Sequence, residues 1–163
     1  MKSTDKILLG IVIGIVALVA VAFAVTLLKP DPTYREEDTP EGVAYNYLLA
    51  LQKEDYVRAY GYLSPTLKGY PQSADSLAIT VYKNEYAFPF DQNGTLEIDS
   101  ANILGDLAFV KVLETRYYGG GLFDSGQRET YFDMELERVD GEWKVNDSDD
   151  YFVPCWKLIK GCD

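Results

Sequence analysis

TYFDMELERVDGEWKV, residues 130–145, shows most directly how this chain folds. From Thr130 to Val139 apolar and acidic side chains alternate: Phe132, Met134 and Leu136 point one way, Asp133, Glu135 and Glu137 the other. A period of two is that of a β-strand with one covered and one solvated face. Asp140-Gly141 is a two-residue hairpin signal, because both central positions of the matching turn need positive φ. Trp143 and Val145 continue the apolar set on the returning strand, and Asp147-Ser148-Asp149-Asp150 ends it in polar residues. Upstream, Leu107 to Arg116 begins LAFVKVL, apolar on both faces at first, which predicts a central strand. Gly105-Asp106 separates it from Thr95 to Ala101, where Leu96 and Ile98 share a face. Tyr117-Tyr118-Gly119-Gly120-Gly121 reads as a flexible hairpin loop between the second and third strands.

Before Pro89 the period is helical. Thr39-Pro40-Glu41 is a helix start: Thr supplies the capping oxygen, Pro fits the first turn and Glu meets the positive helix end. Val43, Ala44, Tyr47, Leu48 and Leu51 form one stripe. A second short helix carries Tyr56, Ala59, Tyr60 and Leu63, and stops at Ser64-Pro65 because the residue before proline avoids the helical region. Ser73 can cap a third helix bearing Leu77, Ala78, Val81 and Tyr82. Helices followed by hairpin-linked strands imply an α+β fold, about three helices packed on one face of a curved antiparallel sheet of about four strands.

Upstream again, Ile7 to Leu28 is an uncharged apolar run. At about 1.5 Å per residue it gives roughly 33 Å of helix, enough to cross a bilayer core. Residues 1–6 are expected as a cytoplasmic tail, 7–28 as a transmembrane helix, 29–38 as a linker and 39–163 as the extracytoplasmic domain. The orientation rests on Lys2, Lys6 and the amino terminus against Lys29 and Arg35, a small positive-inside bias. Ala22-Phe23-Ala24 has the spacing of a signal-peptide cleavage site. Apolar residues continue past it to Leu28, which favours a retained signal anchor.

The chain carries 15 basic and 26 acidic residues, a net charge of −11. The first 29 residues hold Lys2, Lys6, Lys29 and Asp5, so the remainder has 12 basic and 25 acidic residues, net −13. Such a surface repels phosphate backbones, and nucleic-acid binding is not expected. There is no histidine, which removes serine–histidine and cysteine–histidine catalysis and most zinc sites. Asp147, Asp149 and Asp150 do not have the spacing of a calcium loop, and no cofactor or metal is expected. The two cysteines, Cys155 and Cys162, could pair outside the cell. Closing that loop would remove roughly 2.5 kcal/mol of unfolded-state entropy on the loop model. Two free thiols are the second reading, and a metal site is the least favoured because there is no histidine to complete it.

TPEGVAYNYLLALQKEDYVRAYGYLSP, residues 39–65, resembles the first helix pair of the nuclear transport factor two-like superfamily, also called cystatin-like or SnoaL-like. ERVDGEWKV, residues 137–145, resembles its closing hairpin. The resemblance covers residues 39 to about 150 and implies a cone-shaped domain. It implies no single activity, since the superfamily holds isomerases, dehydratases, cyclases, transport factors and membrane-anchored bacterial or archaeal domains of unknown role. Tyr47, Tyr60, Phe132 and Met134 are expected to line the cone.

Two functions follow. The first is a non-catalytic, membrane-anchored extracytoplasmic module that binds a protein partner or a small apolar ligand through the sheet face or the mouth of the cone, with dimerisation open. The second is an isomerase or dehydratase using an Asp–Tyr pair in the cone. The strand alternation weighs against the second, because Asp133, Glu135 and Glu137 are turned away from the helices.

Overall fold

The computed structural model describes residues 3–27, 31–89, 94–121, 124–159 and 161. The chain divides into two compact units, Met1–Thr33 and Tyr34–Asp163. The first unit holds α1 (Ser3–Leu27). Its window Ile7–Ala24 has a mean hydropathy of 3.1 and its side chains are exposed, so it is long and apolar enough to span a membrane.

The second unit runs α2 (Pro40–Gln52), α3 (Tyr56–Tyr62), α4 (Ala74–Lys83), β1 (Thr95–Leu104), β2 (Leu107–Gly121), β3 (Asp124–Val139), β4 (Glu142–Ser148) and a 3₁₀ turn (Pro154–Lys157). The four strands form one antiparallel sheet in the order β1-β2-β3-β4. This is the α+β architecture expected from the change of period.

Each helix starts where its side-chain chemistry puts it. The Thr39 hydroxyl accepts from the Gly42 amide at 3.1 Å, and Ser73 Oγ accepts from the Ser76 amide at 3.2 Å. Asp55 caps α3 through the Arg58 amide. Helix α2 is buried beyond its stripe, from Asn46 through Leu51. Segment 34–38 accounts for part of this. The Arg35 amide donates to Asn46 Oδ1 at 2.7 Å, Asn46 Nδ2 donates to the Arg35 carbonyl at 2.8 Å, and the Tyr62 hydroxyl donates to Glu37. Gly42 permits the crossing: a Cβ there would sit 1.9 Å from the Glu36 carbonyl oxygen. From Tyr34 onward, residues read in the sequence as linker are therefore attached to the domain.

The sheet's inner face carries Ala108, Val110 and Val112 from β2, Phe132, Met134 and Leu136 from β3, and Trp143 and Val145 from β4, all buried with Tyr47, Leu48 and Leu51 of α2. The alternation of β3 thus has the expected phase. The β3–β4 turn has Asp140 at φ 52° and Gly141 at φ 89°, both left-handed, as its sequence requires. Gly119–Gly121 corrects the expectation of a loop. Strands β2 and β3 continue pairing past Arg116↔Arg128 to Tyr118↔Gly126 and on to Gly121↔Asp124, so the glycines belong to β2. Ladder hydrogen bonds outweigh the low strand propensity of glycine when a partner strand is in register.

Candidate functional site

The inward phase of β2 runs Ala108, Val110, Val112 and then reaches Glu114 and Arg116. Alternation therefore turns a carboxylate into the interior. Glu114 is 4% exposed. Arg116, two residues on and on the same face, donates from Nη2 to Glu114 Oε2 at 2.9 Å. Tyr151 donates its hydroxyl to Glu114 Oε1 at 2.7 Å. Both carboxylate oxygens are thus engaged, as a buried charge requires.

Tyr151 is placed by constraints from three directions. Its backbone has φ 60°, a left-handed conformation unusual for a bulky residue. Its amide donates to the Ala87 carbonyl at 2.8 Å, and its carbonyl accepts from the Tyr47 hydroxyl at 2.7 Å. Its ring lies 5.6 Å from that of Phe132. Non-glycine residues held this way cost of order 1–3 kcal/mol, so surrounding contacts must hold the conformation. Burial pushes the Tyr47 phenol above the usual tyrosine range. Burial, reinforced by the Glu114 hydrogen bond, does the same for Tyr151. Both are hydrogen-bond donors and poor proton donors.

Asp150 completes the cluster. It is half-buried, and burial first, then the Glu114 charge, raises its carboxyl above the usual aspartate range. An acid whose folded-state pKa is raised favours folding while protonated, below its unfolded value, and that contribution is lost as pH rises through the folded value. Replacing Asp150 with Asn is therefore expected to remove a fall in stability that the parent shows above about pH 4. Urea midpoints of both proteins measured across the acidic range check this. Identical pH profiles for the two would contradict it.

The residues expected to line the interior are placed as follows. Tyr47 and Phe132 meet at Tyr151, and Met134 is fully buried in the same core. Tyr60 lies at the margin, half-buried, with its ring 4.9 Å from Tyr70, whose hydroxyl donates to the Tyr60 carbonyl. Cys155 is half-buried against the core, while the expected pairing with Cys162 falls on a residue outside the described set. Asp147 pairs with Lys157, and Asp149 accepts from the Asp133 amide at 3.2 Å. Among the described residues no group of three or more acidic or cysteine side chains is placed to hold a metal. Glu114, Arg116 and Tyr151 escaped the sequence reading as site residues, and Asp150 entered it only within the acidic run weighed against a calcium loop. For Glu114 and Arg116 the signal was available, since they extend the even-numbered phase of Val110 and Val112.

The outer face of the sheet has a different chemistry. Leu107 (41% exposed), Phe109 (40%) and Tyr117 (50%) run along β2, and Tyr131 (53%) stands on β3 opposite Leu113. Acids border the row: Glu129, Asp133 and Glu135 on β3, opposite Thr115, Lys111 and Phe109, and Glu97 on β1, opposite Leu113.

No family model matches the chain, and no curated protein matches it. Solved structures do. A SEC-C motif containing protein from Rhodopseudomonas palustris is similar at 13% identity and a TM-score of 0.49, covering 72% of this chain and 83% of that one. An NTF2-like protein with a cystatin-like fold from Novosphingobium aromaticivorans is similar at 12% identity and a TM-score of 0.45, covering 80% and 86%. A protein of unknown function with a cystatin-like fold from Nostoc punctiforme is similar at 16% identity and a TM-score of 0.43, covering 65% and 82%. At these identities, questions of activity rest on the residues of this chain.

Proposed function

We propose that this chain is a single-pass membrane protein whose extracytoplasmic domain works by binding rather than by catalysis. The observation that carries the reading is the commitment of the interior carboxylate and of the two buried phenols. Glu114 has both oxygens bonded, and the Tyr47 and Tyr151 hydroxyls are spent on internal acceptors. A general base needs a free oxygen within reach of substrate, which Glu114 does not offer; the buried donors without a partner among the described residues, Arg116 Nε and Trp143 Nε1, have no such base beside them. The apolar α1 supports the anchor, and the Lys2/Lys6 bias supports the orientation.

The outer sheet face is the proposed interaction surface. Its apolar row bordered by acids fits a protein partner that presents apolar side chains flanked by Lys or Arg. Two copies of this face would set acid against acid, which disfavours a symmetric dimer through it. Capture of the full chain from its native membrane should retain a defined basic partner. The variant carrying Phe109→Ser and Tyr131→Ser should lose it. Equal recovery with both proteins would sink the surface, and recovery of the chain alone would point to self-association. Added protease should digest the domain in intact spheroplasts, whereas protection would reverse the orientation. Cys155–Cys162 pairing belongs to the same reading. An intact mass that includes residues 1–28 and is short by two hydrogens supports both the uncleaved anchor and the disulfide.

One observation favours an isomerase or dehydratase as a second reading. Asp150, with its raised pKa, is adjacent in sequence to Tyr151 and feels the charge of Glu114 and Arg116. Proton exchange at the α-carbon of a ketone, abolished by Asp150→Asn, would establish that activity.

A further inference from the structure

A second feature lies away from both the interior cluster and the sheet face. Ser76, Thr80 and Lys83 lie on one face of α4, at i, i+4 and i+7, while Leu77 and Val81 of the same helix enter the core. That polar face forms one wall of a cleft of about 510 Å³. The opposite walls are the 68–72 loop, with Lys68, and the carboxyl-terminal segment, with Trp156 and Ile159. The volume is that of a small-molecule site.

The floor is built by close backbone contact. The Gly69 amide donates to the Trp156 carbonyl at 2.8 Å. A Cβ on Gly69 would lie 2.6 Å from the Cys155 carbonyl oxygen and 2.8 Å from Gly161 Cα, so no other residue fits without displacing the segment. The cleft's position is therefore set by packing of the core and tail.

Its charge is opposite to that of the molecule. In a chain of net −11, two lysines and no acidic residue line this cleft among the described residues. Neither Lys68 nor Lys83 takes part in an ion pair or hydrogen bond there, whereas Lys144 and Lys157 are each paired with a carboxylate. Thr80 spends its hydroxyl proton on the Ser76 carbonyl, and the Asn84 side-chain Nδ2 donates to the Thr80 carbonyl. The ammonium groups are therefore the strongest unspent donors on the two walls. Tyr70 and Ile79 add apolar surface beside them.

We infer that this cleft binds a small hydroxylated molecule carrying an oxyanion, of the class of carboxylated or phosphorylated sugars. Lys68 and Lys83 hold the oxyanion from opposite walls. The Ser76 and Thr80 hydroxyl oxygens along α4 receive hydroxyl groups, and Tyr70 covers the apolar face of the ring. The inference extends the reading of the domain as a binding module to a different surface. None of Phe109, Tyr131, Glu114 or Asp150 lines the cleft, so either proposal can fail without the other.

The test is a titration of the detergent-solubilised full chain with glucuronate, glucose 6-phosphate and glucose, followed by tryptophan fluorescence and saturation-transfer NMR. Glucuronate or glucose 6-phosphate is expected to bind at least tenfold more tightly than glucose, with affinity falling as salt is added. Whichever binds more tightly identifies carboxylate or phosphate as the preferred group. The Lys68→Ala, Lys83→Ala double variant is expected to lose at least tenfold of that affinity. Both side chains are exposed, so the fold should persist, as circular dichroism would verify. Absence of binding by either anion at millimolar concentration overturns the inference. So does equal binding of glucose, or unchanged affinity in the double variant.

Discussion

Trp156→Ala is expected to destabilise the globular domain by about 4 kcal/mol, within the range for emptying a buried tryptophan site. The indole is 1% exposed, lies edge-on to Phe152 at 4.8 Å between ring centroids, and packs near Phe88 at 6.2 Å. Its own backbone carbonyl receives the Gly69 amide, so the cavity would open beneath the loop that the carboxyl-terminal segment holds down. Trp156→Phe keeps much of the volume and should cost less, about 1–2 kcal/mol. Urea unfolding of the full chain, read by near-ultraviolet circular dichroism, measures both. A loss under about 1 kcal/mol for the alanine variant would mean that the segment adds little to the core and lies on it only loosely.

Arg116→Met should cost about 2–3 kcal/mol. Removing one partner of a buried ion pair usually costs 3–5 kcal/mol because the other charge is stranded, and the 30% exposure of the arginine side chain lowers that figure. Much of the loss is a penalty on Glu114 rather than the value of the contact. Replacing all three members together, with Glu114→Leu, Arg116→Met and Tyr151→Phe, should therefore recover most of the stability. In a domain of this size the single change should lower Tm by roughly 10 °C, and the triple change by far less. A triple variant less stable than the single one would show that the network itself is strongly stabilising. It would also weaken the view of Glu114 as a charge that the fold tolerates only while it is paired.

These two predictions concern residues of unequal legibility. Glu114 sits in an alternating strand, and its inward phase can be counted from Val110 and Val112. What cannot be counted is its partner. Tyr151 lies 37 positions away, follows a run of polar residues, and adopts a left-handed backbone that no local propensity favours. Trp156 is buried although it follows polar, irregular chain, because the tail folds back against Phe88 and Phe152. The loop reading of Gly119–Gly121 failed for a related reason. Glycine's weak strand preference points to a loop, and the partner strand that overrides it is supplied by register.

The amino-acid sequence by itself determined the apolar α1, the change from helical to strand period after Pro89, the caps at Thr39 and Ser73, the Asp140-Gly141 turn, and which side of β3 is covered. Each depends on interactions between residues a few positions apart, so composition and spacing carry the information. Tertiary structure alone decided that segment 34–38 docks on α2, that Tyr151 caps Glu114, and that two lysines face one cleft between α4 and the tail. Those arrangements join residues 11 positions apart in the first case, 37 in the second and more across the cleft. Their energies come from core packing and from satisfying buried polar groups, and neither exists until the elements have come together.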